Sequence, residues 1–140
     1  MTTIFACAKA GLMVCDSKCS GSDGWYPMTK GHRNGAELVG LAGNVKEGHS
    51  WLKWYAAGKR GARPKLESFV ALILRADGVY EACSDGLEMK VERGYHGVGS
   101  GGPCAIAAYK AGVDPKRAVE IACEIDNGSG GEVIVHELKA

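Results

Sequence analysis

The opening of the chain is the part of the sequence that most limits the fold. Residues 3–8 and 12–16 are short apolar runs rich in β-forming side chains, and the turn signal Lys9-Ala10-Gly11 lies between them. Two such runs joined by a short turn containing glycine predict a β-hairpin. The sequence therefore places the start of the chain within a sheet.

Further strands are predicted along the rest of the chain, separated by glycine-containing turns. Residues 17–24 are rich in Gly and Ser and predict a loop directly after the first hairpin. The later strands are predicted at residues 25–30, 37–42, 69–74, 79–83, 95–98 and 132–138.

Three helices are predicted from their capping signals. Asn44 precedes Glu47 by three residues, as in a capping box, and apolar residues then recur at helical spacing until Gly58. The other two helices are predicted at residues 103–111, closed by Gly112, and from Pro115 to about residue 125, with Asp114 as the N-cap.

The order of these elements predicts the fold class. Strands, a helix, strands, two helices and a final strand favour an α+β sandwich of two antiparallel sheets with helices outside. A chain of 140 residues without repeats or linkers is expected to form one domain. Its apolar fraction of 46% and charged fraction of 24% are those of an ordinary soluble protein.

Charge and hydropathy argue against several functional classes. The formal net charge of +1 provides no broad basic field for nucleic acid or an anionic membrane. The basic run at residues 59–65 is interleaved with Gly and Pro, and we interpret it as a solvated loop. No stretch approaches the roughly 18 apolar residues that span a bilayer, and no secretory signal opens the chain, so a cytoplasmic location is expected.

The cysteines and histidines show no metal-binding pattern. The six cysteines form no CxxC pair, and none of the four histidines lies at close spacing to a cysteine. In a chain without a secretory signal the cysteines are expected to be reduced and mostly buried. We expect no metal and no organic cofactor.

The glycine-rich segment at residues 97–102 literally matches GxGxxG, a pattern typical of dinucleotide-binding folds. That fold requires the following helix to lead into a parallel strand that ends in an acidic residue. Here Asp114 and Pro115 start a second helix instead, and only one strand remains. The dinucleotide-binding interpretation is therefore disfavoured.

The first two residues, Met1 and Thr2, allow a different chemistry. Removal of Met1 would leave Thr2 with both a hydroxyl and a free α-amine, so that nucleophile and base share one residue. An α-amine has an unperturbed pKa of about 7.7 to 8.0, so a modest electrostatic effect makes it a neutral base near physiological pH. Because many proteins begin with Met-Thr, this signal is weak alone.

Six short motifs give the signal its specificity. They are TTI at residues 2–4, GLMVCDSKCS at 11–20, Lys30, LAG at 41–43, GSGG at 99–102 and DNGSGG at 126–131. Together they resemble the proteasome β-subunit and bacterial HslV peptidase family, the N-terminal threonine hydrolases. The resemblance runs from Thr2 to the C-terminus in the family's order, with one large gap.

The resemblance implies a set of catalytic residues. Thr2 would be the nucleophile, Lys30 the cation beside it, and Asp16 the carboxylate that keeps Lys30 charged and in place. The backbone N–H of Gly43 would face the developing oxyanion. The supporting cluster around the α-amine would consist of Ser100, Asp126 and Ser129.

The resemblance also implies substrate-binding residues. Ser20 would pair with the substrate backbone, where the family usually has threonine, and Lys18, in place of the usual arginine, would be structural. The pocket for the residue before the cleaved bond would be bordered by Cys19, Met28, Leu41 and Val45, which implies an apolar preference.

The family fold is a four-layer sandwich of the N-terminal nucleophile hydrolase type, and we expect residues 2–140 to form it as a single domain. Between Gly58 and Ser68 the family usually has a second long helix, so one flanking helix is expected to be missing. The surface left open would be covered by another subunit or by Trp51 and Trp54.

The resemblance implies a threonine endopeptidase that hydrolyses unfolded polypeptides in intracellular protein degradation. A homo-oligomeric ring is expected, with the helix at residues 44–57 and its Trp51 and Trp54 at an interface, and an ATP-dependent unfoldase is a candidate partner. Two alternatives remain open. One is a non-catalytic assembly or scaffold subunit, and the other is a small-molecule amidase with the same nucleophile.

Overall fold

The predicted hairpin at the start of the chain is the centre of a sheet. The computed structural model describes residues 1–139, and within that part the backbone forms eleven strands and three helices. The strands are β1 (Ile4–Cys7), β2 (Leu12–Cys15), β3 (Lys18–Gly21), β4 (Gly24–Pro27), β5 (Gly31–Asn34), β6 (Glu37–Gly43), β7 (Phe69–Arg75), β8 (Gly78–Cys83), β9 (Glu88–Val91), β10 (Tyr95–Val98) and β11 (Ile134–Glu137). The helices are α1 (Val45–Ala56), α2 (Gly102–Lys110) and α3 (Pro115–Ile125).

The strands form two antiparallel sheets and one separate hairpin. The four-stranded sheet has the order β10-β1-β2-β11, the five-stranded sheet has the order β5-β6-β7-β8-β9, and β3 pairs with β4. Because β1 runs antiparallel to β10, the glycine-rich segment after β10 does not belong to a parallel βαβ unit. This finding agrees with the rejection of a dinucleotide-binding fold.

Period-two alternation divides β1 between two hydrophobic layers. Ile4 and Ala6 face the five-stranded sheet and pack in one cluster with Leu72 of β7. Phe5, between them, packs on the opposite side in a cluster that includes Ala118 of α3. The four-stranded sheet is therefore covered by the other sheet on one face and by α2 and α3 on the other.

Helix α1 covers the outer face of the five-stranded sheet. Trp51 and Tyr55 pack in one cluster with Ile73 of β7, and the two aromatic rings stack with their centroids 4.5 Å apart. The layers are thus α2 and α3, the four-stranded sheet, the five-stranded sheet, and α1. The predicted four-layer α+β sandwich is confirmed.

The helix expected to be missing between Gly58 and Ser68 is absent from the described residues. Leu66 from this segment is buried against the α1 cluster, and a polar network closes the sheet beside it. In this network Arg75 donates to Glu37 Oε2 at 2.8 Å and to Glu88 Oε1 at 2.6 Å. The loop at residues 58–68 and these ion pairs therefore cover part of the surface that a second helix would cover.

Trp51 belongs to the core, so the expectation that it contributes to a subunit interface is wrong. Its side chain is 1% exposed because α1 turns it towards Phe69, with ring centroids 5.3 Å apart. Trp54 is half-buried, and its Nε1 donates to the carbonyl of Gly61 at 3.4 Å. Trp54 therefore packs on the loop that replaces the second helix.

Several predicted boundaries in the polar segments are wrong. Residues 17–24 do not form a loop, because they contain β3 and the turn into β4. The strand predicted at 25–30 ends at Pro27, and a separate strand β5 follows and pairs with β6. Strand β9 had no prediction. Strands β5 and β9 are the outer strands of the five-stranded sheet, and β3 pairs only with β4. They are held mainly by backbone hydrogen bonds and lack the apolar alternation from which a strand is predicted.

The N-cap of α1 is confirmed, but its reciprocal partner is not. Asn44 Oδ1 accepts a hydrogen bond from the Glu47 backbone N–H at 3.0 Å. The Glu47 carboxylate does not return to Asn44, since it accepts from the backbone N–H groups of Glu67 and Ser68 at 2.6 and 3.0 Å. Glu47 therefore fixes the start of β7 against the helix.

None of the three helices described in residues 1–139 has the length and apolar character needed to cross a lipid bilayer.

We expect Trp51→Ala to lower the free energy of unfolding by about 3–5 kcal/mol, because it leaves a cavity between α1 and β7. Trp54→Ala removes the same side chain from a half-buried position of the same helix and should cost about 1–2 kcal/mol. Urea unfolding followed by circular dichroism measures both values. Equal losses would contradict the assignment of Trp51 alone to the core.

Candidate active site

Thr2 lies at the entrance to β1 and is 5% exposed. Lys30 directly precedes β5, and its ammonium group donates to Thr2 Oγ1 at 3.2 Å. The beginning of β5 in the five-stranded sheet thus places a cation beside the beginning of β1 in the four-stranded sheet. A hydroxyl in this position has a positive charge beside it that would stabilise its deprotonated form.

Lys30 forms a buried ion pair with Asp16, which follows β2. The Lys30 Nζ lies 2.9 Å from Asp16 Oδ1 and 3.1 Å from Oδ2, and the two side chains are 1% and 0% exposed. The backbone N–H groups of Thr3 and Gly130 donate to the carboxylate as well, each at 3.0 Å. A buried pair with its remaining oxygen lone pairs satisfied in this way is fixed in one geometry.

A chain of hydroxyl groups leads from the Thr2 nitrogen to Asp126. The Thr2 backbone N–H donates to Ser100 Oγ at 3.2 Å. Ser100 Oγ then donates to Asp126 Oδ2 at 2.7 Å, and Ser129 Oγ donates to the same oxygen at 2.6 Å. The structure therefore brings together six of the seven predicted catalytic residues through direct hydrogen bonds.

Hydrogen bonds keep the Asp126 carboxyl group ionised. Partial burial by itself would raise its pKa, but donation from Ser100, Ser129 and the Gly128 backbone outweighs burial, and the positive charge at the chain N-terminus adds to it. The pKa of Asp126 is therefore held below its ordinary value.

The seventh predicted residue, Gly43, ends β6 and lines the same cavity as Thr2. Its φ of 100° lies in the left-handed region, and a Cβ atom there would collide with the Ser68 carbonyl. Gly99 has the same constraint, with a φ of 87° and no room for a Cβ against the Thr2 carbonyl. Both glycines allow backbone to approach closely beside Thr2.

A cleft of about 240 Å³ opens beside Thr2. The five residues predicted to bind substrate all line it, and they are Cys19, Ser20, Met28, Leu41 and Val45. Five residues that the sequence analysis did not assign to the site line the cleft as well, and they are Thr29, Ala42, Asn44, Gly48 and His49. His49 lies one helical turn after Val45, so the helical period could have identified it.

Thr3 was also missed, although it lies within the site. It is fully buried, and its Oγ1 is 2.6 Å from Ser129 Oγ. Thr3 lies between Thr2 and the first residue of β1, and extending the strand alternation back by one residue could have indicated an inward-facing hydroxyl.

Met1 occupies the edge of the site. It is 77% exposed, and its carbonyl oxygen accepts a hydrogen bond from Lys30 Nζ at 3.2 Å. While Met1 is present, the Thr2 nitrogen is a peptide nitrogen and cannot act as a base. Among residues 1–139, no group of three or more His, Cys, Asp and Glu side chains is arranged to hold a metal ion.

The fold is shared with HslV and BPH, whereas no protein-family model and no curated protein matches the sequence. Eukaryotic HslV from Trypanosoma brucei has a TM-score of 0.76 at 24% identity, with 96% of this chain and 98% of that chain covered. BPH from Thiobacillus denitrificans in complex with epoxomicin has a TM-score of 0.68 at 20% identity, with 99% and 100% covered. A second BPH structure has a TM-score of 0.66 at 17% identity, with 99% and 98% covered. The resemblance to HslV is confirmed at the level of the fold.

We expect Asp126→Asn to destabilise the chain near neutral pH and to have less effect in acid. A carboxylate whose folded pKa is depressed adds stability above its unfolded pKa of about 3.9, and this stability is lost as the pH falls through the folded pKa. Unfolding free energies of wild type and Asp126→Asn, measured from about pH 7 to about pH 3, should therefore converge.

Asp23→Asn, in the exposed turn between β3 and β4, is the control for this experiment, and its stability should follow that of wild type at every pH. A difference between wild type and Asp126→Asn that stays constant with pH would contradict a role for the Asp126 charge.

Proposed function

We propose that the chain is an N-terminal threonine hydrolase of the proteasome β-subunit and HslV family, and that it hydrolyses peptide bonds of unfolded polypeptides. The observation that carries the proposal is the position of Thr2. Its hydroxyl contacts the buried Lys30–Asp16 pair, while its nitrogen contacts the separate chain of Ser100 and Asp126. The fold that the chain shares with HslV supports the same activity.

The first chemical step needs the free amine of Thr2. As Thr2 Oγ1 attacks the carbonyl carbon of the substrate, its proton would pass to the α-amine. Lys30, kept as a cation by Asp16, would disfavour protonation of the amine and would stabilise negative charge on Oγ1. The 3.2 Å distance between Lys30 Nζ and Thr2 Oγ1 fits both effects.

The second step breaks the peptide bond. The amine would return the proton to the leaving nitrogen, and the carbon–nitrogen bond would break to leave an ester on Thr2 Oγ1. Water would then attack this ester with the amine again as base, releasing the product acid and restoring Thr2. We assign stabilisation of both oxyanions to the backbone N–H of Gly43, which lines the cleft with Thr2.

The lining of the cleft supports an apolar residue before the cleaved bond. Met28, Leu41 and Val45 supply apolar side chains, and Cys19 adds a small polarisable one. Ser20 lies on β3, at the edge of the cleft, where its position suits pairing with the backbone of an extended substrate.

Epoxomicin is a direct probe of the proposal, because BPH, which shares this fold, has been solved in complex with it. An epoxyketone presents two electrophilic carbons, and a threonine with a free α-amine presents two nucleophiles. We expect Thr2 to add the whole inhibitor mass with no leaving group, and only in protein that has lost Met1.

We expect Thr2→Ala to abolish labelling by epoxomicin and hydrolysis of a denatured protein, and Thr2→Ser to retain part of both. Intact mass and peptide mapping would locate the adduct, and Ser50→Ala, at an exposed position of α1, is the matched control with full labelling. Lys30→Ala should lose nearly as much activity as Thr2→Ala because the groups act as a unit.

Four outcomes would contradict the proposal. Met1 retained in active protein, or full activity in Thr2→Ala, would show that another site acts. Labelling without hydrolysis of any polypeptide would favour the small-molecule amidase, and a folded protein without either activity would favour the scaffold subunit.

We further propose that the chain assembles into a closed homo-oligomeric ring, which would confine the nucleophile, and that it acts in the cytoplasm. The resemblance also makes an ATP-dependent unfoldase a candidate partner. Light scattering should give a mass several times 14.7 kDa. Thr2→Ala should give the same mass, since assembly does not require the chemistry, and a monomer at micromolar concentration would contradict the ring.

A further inference from the structure

Thr3 is a fully buried polar residue to which the proposed chemistry assigns no role. Its backbone is bonded twice to Asp16, because its N–H donates to Asp16 Oδ1 at 3.0 Å and its carbonyl accepts from the Asp16 N–H at 3.0 Å. Its hydroxyl points the other way and lies 2.6 Å from Ser129 Oγ. Thr3 therefore touches both halves of the site.

Counting protons gives the direction of the contact between Thr3 and Ser129. A serine hydroxyl carries one proton, and Ser129 donates its proton to Asp126 Oδ2 at 2.6 Å. Ser129 can then only accept from Thr3, so the Thr3 hydroxyl is the donor. Ser100 likewise gives its proton to Asp126 and can only accept from the Thr2 nitrogen.

The site leaves room for the Thr3 hydroxyl and for little else. A Cβ atom on Gly101 would collide with Thr3 Oγ1 and would lie 3.2 Å from Ser129 Oγ. The absence of a side chain at Gly101 is therefore what allows the Thr3 hydroxyl to reach Ser129 beneath the start of α2.

We propose that Thr3 is a positioning residue, whose hydroxyl directs the proton of Ser129 to Asp126. The Asp126 carboxylate fixed in this way holds Ser100, which accepts from the Thr2 amine and orients it. The inference rests on the proposed function. All protons in the chain point towards Asp126, from Thr3 through Ser129 on one side and from Thr2 through Ser100 on the other. The amine then donates to Ser100 and keeps its lone pair free for the proton of Thr2 Oγ1.

Loss of the Thr3 hydroxyl has a predictable electrostatic effect. Without the Thr3 donor the Ser129 hydroxyl is less polarised and donates more weakly to Asp126, so the carboxylate exerts a stronger field on the Thr2 amine. A less neutralised carboxylate favours the protonated, inactive amine and raises its pKa. The substitution leaves the Lys30–Asp16 pair beside Thr2 unchanged, and it also leaves unchanged Lys18, which lines the same cleft.

The test follows epoxomicin labelling of Thr2 by intact mass over a series of pH values, for wild type, Thr3→Val and Thr3→Ser. We expect Thr3→Val to react about 5- to 10-fold more slowly near neutral pH, the effect of one lost hydrogen bond. The pH at which its labelling rate rises should be about half a pH unit higher than in wild type. Thr3→Ser restores the hydroxyl and should restore both the rate and the pH profile.

A double variant shows whether Thr3 acts through Ser129. Thr3→Val/Ser129→Ala should react no more slowly than Ser129→Ala alone, because the contact is already lost. Additive losses would overturn the proposal, as would a Thr3→Val protein with the wild-type rate and pH profile. Equal defects in Thr3→Ser and Thr3→Val would also overturn it.

The remaining outcomes separate this inference from the proposed function. If wild type is not labelled, the proposed function falls and the inference with it, whereas normal labelling of both wild type and Thr3→Val overturns the inference alone. If Thr3→Val does not fold, Thr3→Ala replaces it. If Thr3→Ser folds and neither of these does, the hydroxyl serves folding rather than the amine, and the proposal is overturned.

Discussion

The buried ion pair between Lys30 and Asp16 is the interaction on which the rest of the site depends. Removing two charges from water is costly unless every remaining donor and acceptor is satisfied. Here the backbone N–H groups of Thr3 and Gly130 complete the hydrogen bonding of the Asp16 carboxylate. The requirement therefore fixes three separate segments around one carboxylate: the entrance to β1, the exit from β2, and the turn before β11.

Fixing Gly130 against Asp16 also positions the hydroxyl chain. Ser129 precedes Gly130 directly, and Asp126 begins the same turn after α3. Lys18 holds the turn from outside by donating to the Asn127 carbonyl at 3.1 Å. The half of the site that stabilises a nucleophilic oxygen and the half that orients a nitrogen are thus parts of one connected structure. Thr2 lies where these halves meet.

The hydrophobic layers explain why this arrangement is rigid. The β1 strand carries Ile4 into the space between the sheets and Phe5 towards α2 and α3, and both side chains are fully buried. A shift of one residue in the register of β1 would exchange these two faces. The position of Thr2 at the entrance to β1 is therefore set by packing on both sides of the sheet.

Most of the fold and the composition of the site could be predicted from the sequence, because apolar alternation, N-caps and glycine turns are local signals. The strands β3, β5 and β9 could not, since their pairing depends on neighbours that the local pattern does not show. The side-chain partner of Glu47 and the burial of Trp51 were missed for the same reason. Each depends on what α1 packs against, and in this chain that is β7 and a loop.

The sequence by itself determined which groups are available: a threonine directly after Met1, the carboxylates of Asp16 and Asp126, the Lys30 ammonium group, and the hydroxyls of Ser100 and Ser129. Only the tertiary structure decided that they meet, because Thr2 and Ser100 are 98 residues apart and Thr3 and Ser129 are 126 apart. It also decided the direction of each proton, which depends on how many donors share the Asp126 oxygen. Contacts at such separation are set by sheet register and layer packing, and no local pattern encodes them.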